Sequence, residues 1–169
     1  AFVPSLLRGA RGNSGVILSI LFRGFNRLFS ESETINGVDV IKALEIGVRE
    51  AYQSVTKPTE GTMLTVAREA FEKGLEFSNQ SNDITLIWPQ VCKGAREALA
   101  TTPELLPVLK KAGVVDAGGK GLCLIFEGML SVFCENKIVD CEPLTTNIEK
   151  DDVFRNAAAE FDGDITYTY

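Results

Sequence analysis

Histidine is absent from this chain of 169 residues, and so are the signatures of several common functions. Without histidine there is no zinc site with histidine ligands and no histidine-based catalysis within the sequence. The four cysteines form no CxxC pair. The net charge is −6 and no block of Lys and Arg stands out. A nucleic-acid-binding surface would require a basic patch, so we expect no nucleic-acid partner.

Long apolar runs are also missing. The longest, residues 16–22, is interrupted by Ser19 and followed by Arg23. A transmembrane helix needs about 18 or more apolar residues, so we expect no membrane span. No signal peptide is visible either. Cys92 and Cys123 lie in apolar helical patterns, which predicts buried free thiols and a location in the reducing cytoplasm.

The composition, 45% apolar and 24% charged, is typical of a globular domain with its own core. The chain starts without Met and stops at DITYTY, where the alternation of Ile165, Tyr167 and Tyr169 predicts a strand. We therefore expect a fragment truncated at both ends. Residues 1–137 would form a helical domain, 138–163 a linker, and 164–169 the start of a following β-containing domain.

Helical periodicity dominates residues 1–137 and predicts an all-α domain of about six helices. The predicted helices cover residues 13–30, 37–57, a third from about 59–62 to 77, 84–100, 102–113 and a last long helix after residue 119. Asn36 and Gly37 are typical of a helix start, and the dipeptide Thr102-Pro103 of another. Gly113 is typical of a helix stop.

Three glycine-containing loops lead into helix starts: residues 9–15 (GARGNSG), 60–62 and 116–121. Helix N-termini carry unpaired N–H groups and partial positive charge, and glycine lets an anion approach the backbone closely. If the three starts converge, they form a phosphate-binding pocket. Each loop alone has a simpler interpretation as a capping turn. None is a P-loop, because GxxxxGK[ST] is absent, and no strand precedes them as in a Rossmann fingerprint.

Taken together, the motifs resemble a known family. GARGNSGVILS, KPTEGTMLTVAREA, TPELLPVLKKAGVVDAGGKGL and the following IFEG look like the nucleotide-binding domain of the fatty acid kinase ATP-binding subunit. That domain is similar to the ADP-binding, DhaL-like subunit of dihydroxyacetone kinases. The resemblance covers about residues 5–135. It implies an antiparallel helical barrel or bundle that binds ATP or ADP at one end.

By this resemblance, the nucleotide-binding residues come from the three loops and the first helix: Gly12, Asn13, Ser14, Gly15, Leu18, Gly61, Thr62, Met63, Asp116, Ala117 and Gly118. The first loop would lie against the phosphates, with Arg11 as a further candidate contact. The second would border the adenine, with Met63 and Leu18 as apolar walls. The third would close the site.

The family holds its Mg²⁺ ions with aspartates on a loop upstream of the glycine motif, and this sequence begins after that point. We therefore assign no metal ligand and no catalytic residue within it, and expect it to be inactive alone because phosphoryl transfer depends on metal ions. A barrel that lacks its first segment would expose apolar surface, and a homodimer is one way to cover it.

The leading hypothesis is an ATP-dependent kinase domain. In the intact protein the γ-phosphate of MgATP would pass to a fatty acid on a separate fatty-acid-binding partner, giving an acyl phosphate. One alternative is a dihydroxyacetone kinase-like subunit that phosphorylates a small hydroxyketone. Another is a non-catalytic helical interaction module whose glycine loops are only caps.

Overall fold

A computed structural model describes residues 2–30 and 33–135. These residues form a bundle of seven helices with no strand among them, which confirms the predicted all-α class. The helices are α1 (Phe2–Gly9), α2 (Gly12–Phe29), α3 (Gly37–Ser54), α4 (Met63–Ser78), α5 (Ile84–Leu105), α6 (Pro107–Ala112) and α7 (Ala117–Glu135). The predicted linker and β-segment lie outside the described residues.

Consecutive long helices run antiparallel, as the contacts between α2 and α3 show. Gly47 of α3 packs on the backbone of Leu21, whereas Ala43, one turn earlier, packs on Gly24, farther along α2. Small residues at these points let the two backbones approach closely. The helices therefore pass each other in opposite directions.

The same relation holds for α3 with α4, where Ile41 lies beside Gly74 and Tyr52 beside Arg68, and for α4 with α5. Along α4 and α5, Gly74 contacts Val91, whereas Gly61, just before α4, lies against Thr102 near the end of α5. The short helix α6 then reverses the chain, ending at Gly113 with a left-handed φ of 66°. As a result, α2, α4 and α7 all begin at one end of the bundle.

Trp88 of α5 lies at the centre of the core and is fully buried. Its indole Nε1 donates a hydrogen bond of 2.9 Å to the carbonyl oxygen of Phe126 in α7. Its ring makes edge contacts with Phe25, Phe126 and Phe133, at centroid distances of 6.5, 5.4 and 5.3 Å. Such edge-on pairs are favourable for aromatic rings, and here they join α2, α5 and α7.

Helix α7 has two different faces. Leu122, Cys123 and Phe126 are buried in the core, whereas Leu124 and Val132 are exposed. Among the described helices, α7 is long and apolar enough to cross a membrane. Its mean hydropathy is 1.4, and 22% of its most apolar stretch is buried. Packing against α4 and α5 accounts for the apolar residues of the buried face. The absence of a membrane span stays a prediction.

The helix boundaries differ most from the sequence-based ones at two places. Helix α1 was not predicted. Thr102-Pro103 is not a helix start, because α5 continues through Pro103 to Leu105. Pro103 has no N–H for the carbonyl of Leu99, four residues earlier. The Thr102 hydroxyl donates to that carbonyl instead, at 2.7 Å, which removes the cost of leaving it unpaired.

Candidate functional site

The three predicted loops meet at Gly118, in the first turn of α7. A Cβ atom placed on Gly118 would lie 3.2 Å from Met63 Cε, 3.2 Å from Ser14 Oγ and 3.3 Å from Asp116 Oδ2. Ser14 of the first loop, Met63 directly after the second loop and Asp116 of the third therefore lie within contact distance of the same point. Any side chain at position 118 would crowd this junction.

The first loop opens α2 without a side-chain cap. Gly12 has a φ of 66°, and no atom lies within 4 Å of where its Cβ would be. Arg11 at the N-cap position makes no capping hydrogen bond, and the first turn contains no acidic residue. Gly12, Asn13 and Ser14 are exposed, while Gly15 is half-buried against Ala10. This helix start offers exposed N–H groups and partial positive charge to an anion.

The second loop is capped and closely packed. The Thr62 hydroxyl accepts a hydrogen bond of 3.4 Å from the N–H of Leu64 and donates one of 2.8 Å to the carbonyl of Thr59. Gly61 has a φ of 82°, in the left-handed region that glycine adopts readily. Met63 is buried, and its methyl group points at the junction beside Gly118.

The third loop caps α7 through Asp116. Its Oδ2 accepts a hydrogen bond of 2.6 Å from the N–H of Gly119. The N–H of Asp116 in turn donates to the Thr102 hydroxyl at 3.1 Å. Ala117 is exposed and Gly118 half-buried, so the start of α7 is open to solvent on one side. Capping and ligand binding are thus compatible here, because the cap uses only one N–H of the first turn.

Arg11 and Leu18 lie on a groove between α1 and α2 of about 380 Å³, together with Gly15. The Arg11 guanidinium donates to the carbonyls of Arg8 and Ala10, at 3.3 and 2.9 Å. Leu18 is half-buried in this groove. Of the predicted site residues, the structure thus brings Ser14, Met63, Asp116 and Gly118 together. Arg11 and Leu18 lie with Gly15 on the α1 side.

A family model for the DAK2 domain matches residues 1–131. The chain belongs to the DAK2 domain family. This domain is the ATP- and ADP-binding domain of DhaL-like kinases.

Curated relatives are similar over most of this chain. Protein YloV of Bacillus subtilis is 50% identical over 131 residues, which is 78% of this chain and 24% of YloV. An uncharacterized protein of Staphylococcus aureus strain USA300 is 42% identical over 173 residues, 99% of this chain and 31% of that protein. A third, from Staphylococcus saprophyticus, is 46% identical over 129 residues, 76% of this chain and 23% of its own. The chain spans less than a third of each relative.

Within this DAK2 domain, the described residues contain no group of three or more histidine, cysteine, aspartate or glutamate side chains that could hold a metal ion. Asp116 supplies a single carboxylate at the junction, and that carboxylate caps α7. Mg²⁺ needs near-octahedral oxygen ligation, usually with one or two carboxylates plus phosphate oxygens and waters. The described residues therefore fit the phosphates and the base of a nucleotide better than they fit its metal.

Sequence reasoning missed the residues of the DAK2 domain that support the second loop. A Cβ on Gly61 would lie 2.9 Å from Leu105 Cβ and 2.9 Å from Leu106 Cγ. The N–H of Gly61 donates to the buried Thr65 hydroxyl at 2.8 Å. The one available signal was Glu60, a charged residue beside a glycine turn, but its partners on α3 and α4 become visible only in the folded chain.

Proposed function

We propose that this DAK2 domain binds ATP where α2, α4 and α7 begin, and that the protein is a kinase. The γ-phosphate would pass to a fatty acid held by a separate acyl-binding partner, giving an acyl phosphate. The observation that carries the nucleotide proposal is the meeting of Ser14, Met63 and Asp116 around the side-chain-free position Gly118. The family match supports it independently.

Each loop has a different part in this proposal. The uncapped start of α2, with Ser14, binds phosphate oxygens through N–H groups and a hydroxyl. Met63 provides an apolar wall for the base, since a buried thioether makes favourable contacts with aromatic rings. Gly118 keeps a side chain out of the junction, and Asp116 holds the start of α7 in place.

Catalysis in this proposal consists mainly of orienting the nucleotide and the acceptor for in-line transfer. Mg²⁺ supplies charge neutralisation on the phosphates when it is bound. The described residues contribute binding and orientation, which is consistent with a sequence that contains no histidine.

The acceptor and the location are further parts of the proposal. The residue sequences of the glycine motifs favour a fatty acid over dihydroxyacetone as the acceptor. A cytoplasmic location is supported by the thiols, because Cys92, Cys123 and Cys134 are all free. Burial raises the pKa of Cys92 to about 12, so this thiol is neutral and serves as a small apolar side chain.

Nucleotide binding is tested by thermal unfolding of the full-length protein with and without MgATP. A ligand at 100 times its dissociation constant stabilises a fold by about 2.7 kcal/mol, so we expect a clear rise in melting temperature. GTP at the same concentration shows whether the base is recognised. No shift at millimolar MgATP would overturn the nucleotide proposal and favour a non-catalytic module.

The acceptor is tested separately, by phosphate transfer from labelled ATP. One reaction contains a fatty-acid-loaded binding protein and the other contains dihydroxyacetone. We expect a hydroxylamine-sensitive acyl phosphate only in the first reaction. Transfer to the ketone alone would replace the fatty acid kinase proposal with the dihydroxyacetone kinase one.

A further inference from the structure

The carboxylate of Glu60, next to the Gly61 turn, receives hydrogen bonds from three side chains on two helices. Tyr52 of α3 donates its hydroxyl to Oε1 at 3.1 Å. From α4, Thr65 donates its hydroxyl to Oε2 at 2.8 Å, and Arg68 donates Nη2 to the same oxygen at 3.1 Å. Glu60 thus joins α3, α4 and the turn between them.

The contacts extend from Glu60 to the backbone of the turn. The Thr65 hydroxyl that donates to Glu60 also accepts the N–H of Gly61, at 2.8 Å. On its other side Gly61 is pressed against Leu105 and Leu106. The turn is therefore held from both sides, and the next two residues are Thr62 and Met63.

The positive charge of Arg68 and the hydrogen bonds around Glu60 keep the Glu60 carboxylate ionised. Arg68 also pairs with Glu69 and Glu72, at 3.0 and 3.2 Å, and its Nε donates to the Tyr52 hydroxyl at 3.3 Å. Partial burial by itself would raise the pKa of Glu60. The hydrogen bonds from Thr65, Arg68 and Tyr52 outweigh that effect, so its pKa lies below the ordinary value. Glu60 is accordingly ionised at neutral pH and remains a strong acceptor.

We propose that Glu60 and Thr65 are positioning residues that set the Gly61 turn, and through it Met63, for the base of the nucleotide. They act on the backbone and do not touch the ligand. This inference rests on the proposed nucleotide function and extends it, because it assigns a part in base affinity to two residues outside the predicted nucleotide-binding set. The start of α2, where the phosphates are proposed to bind, has no part in these contacts.

The test compares two ligands and two matched variants in the full-length protein. Thr65→Val removes the hydroxyl with little change in shape, and Thr65→Ser retains it. We expect Thr65→Val to weaken MgATP binding about tenfold, which corresponds to a loss of roughly 1.4 kcal/mol. Thr65→Ser should bind MgATP as tightly as the wild type does. Magnesium tripolyphosphate, which has no base, should bind all of these proteins equally. Isothermal titration calorimetry measures each dissociation constant.

Two further variants separate positioning from general stability. Glu60→Gln should weaken MgATP binding as Thr65→Val does. Glu72→Gln removes another partner of Arg68 but does not reach the turn, so its affinity should be that of the wild type. Equal weakening for MgATP and tripolyphosphate, or equal effects of Glu60→Gln and Glu72→Gln, would overturn the positioning role.

Amide hydrogen exchange tests the turn without any nucleotide. Faster exchange at Gly61 is expected in Thr65→Val and Glu60→Gln, and unchanged exchange would refute the inference even where wild-type protein binds MgATP normally. If the wild type binds tripolyphosphate but shows no preference for MgATP, there is no base to position and the inference also fails. If it binds neither ligand, the proposed function fails as well.

Discussion

At the scale of single residues, the site depends on positions where a side chain is absent. Gly118 and Gly121 lie on the same helix but in different surroundings. A Cβ at Gly118 would meet Met63, Ser14 and Asp116 at 3.2 to 3.3 Å, whereas a Cβ at Gly121 would meet no atom within 4 Å. The difference makes Gly121 a control for Gly118.

We expect Gly118→Val to lower MgATP affinity by about tenfold or more, a free-energy loss of roughly 1.4 kcal/mol, because the valine methyl groups would occupy the junction. Gly121→Val introduces the same β-branched residue into α7 and should leave the affinity unchanged. Calorimetric titration of both variants measures the difference. Equal affinities would show that Gly118 serves only to let helices pack.

Ser14 gives a second residue-scale prediction. It is exposed and makes no capping hydrogen bond at the start of α2, so Ser14→Ala should change the free energy of unfolding by only about 0.5 kcal/mol or less. Loss of a hydrogen bond to a charged phosphate should weaken both MgATP and magnesium tripolyphosphate about tenfold. Ser30→Ala, at the other end of α2, is the control. A large loss of stability without loss of affinity would identify Ser14 as a structural residue.

At the scale of helices, the ends of the elements are joined by side chains from neighbouring elements. Thr102, near the end of α5, donates to the Leu99 carbonyl that Pro103 leaves without an N–H partner, and accepts the N–H of Asp116. Asp116 then caps α7. The third loop therefore depends on a buried hydroxyl of a different helix.

We expect Thr102→Val to lower the free energy of unfolding by about 1 to 3 kcal/mol, because it leaves a buried carbonyl and an amide without partners. Thr101→Val is the matched control: its hydroxyl also bonds a carbonyl three residues earlier, but the side chain is exposed. That variant should differ from the wild type by about 0.5 kcal/mol or less. Urea unfolding followed by circular dichroism measures both. Similar free energies of unfolding for the two variants would contradict the proposal that the Thr102 hydroxyl joins α5 to the third loop.

At the scale of the whole bundle, close helix contacts set where the loops lie. A Cβ on Gly47 would be 2.5 Å from the Leu21 carbonyl oxygen and 3.0 Å from Leu21 Cα, both of which are backbone atoms. The backbones of α2 and α3 cannot move aside as a flexible side chain could. The position of the first loop relative to the others depends on this contact.

Gly47→Ala should lower the free energy of unfolding by about 1 to 3 kcal/mol, since overpacking outweighs the better helix propensity of alanine. In Gly128→Ala of α7, the added methyl meets no atom within 4 Å, so alanine should raise the free energy of unfolding by about 0.5 to 1 kcal/mol. Chemical denaturation of the two variants measures the contrast. A Gly47→Ala protein as stable as Gly128→Ala would show that α2 and α3 are not in tight contact.

Much of the helical structure could be predicted from local patterns. Asn36 marks the start of α3 and the left-handed Gly113 the end of α6, as their residue types predict. The error at Thr102-Pro103 has a physical cause, because a helix continues past proline when another donor satisfies the freed carbonyl. The thiols of Cys92 and Cys123 are free and buried, as predicted from their apolar surroundings.

Local residue patterns were enough to predict the helix class, several of the helix ends and the glycine-bearing starts of α2, α4 and α7, since these depend on residues one or two turns apart. The meeting of Ser14, Met63 and Asp116 at Gly118 depends instead on packing between helices that are far apart in the chain. That outcome requires alternate helices to begin at the same end and their backbones to approach closely. The same packing placed Leu18 on the α1 groove and put Tyr52 and Arg68 around Glu60, because such contacts join residues from separate helices.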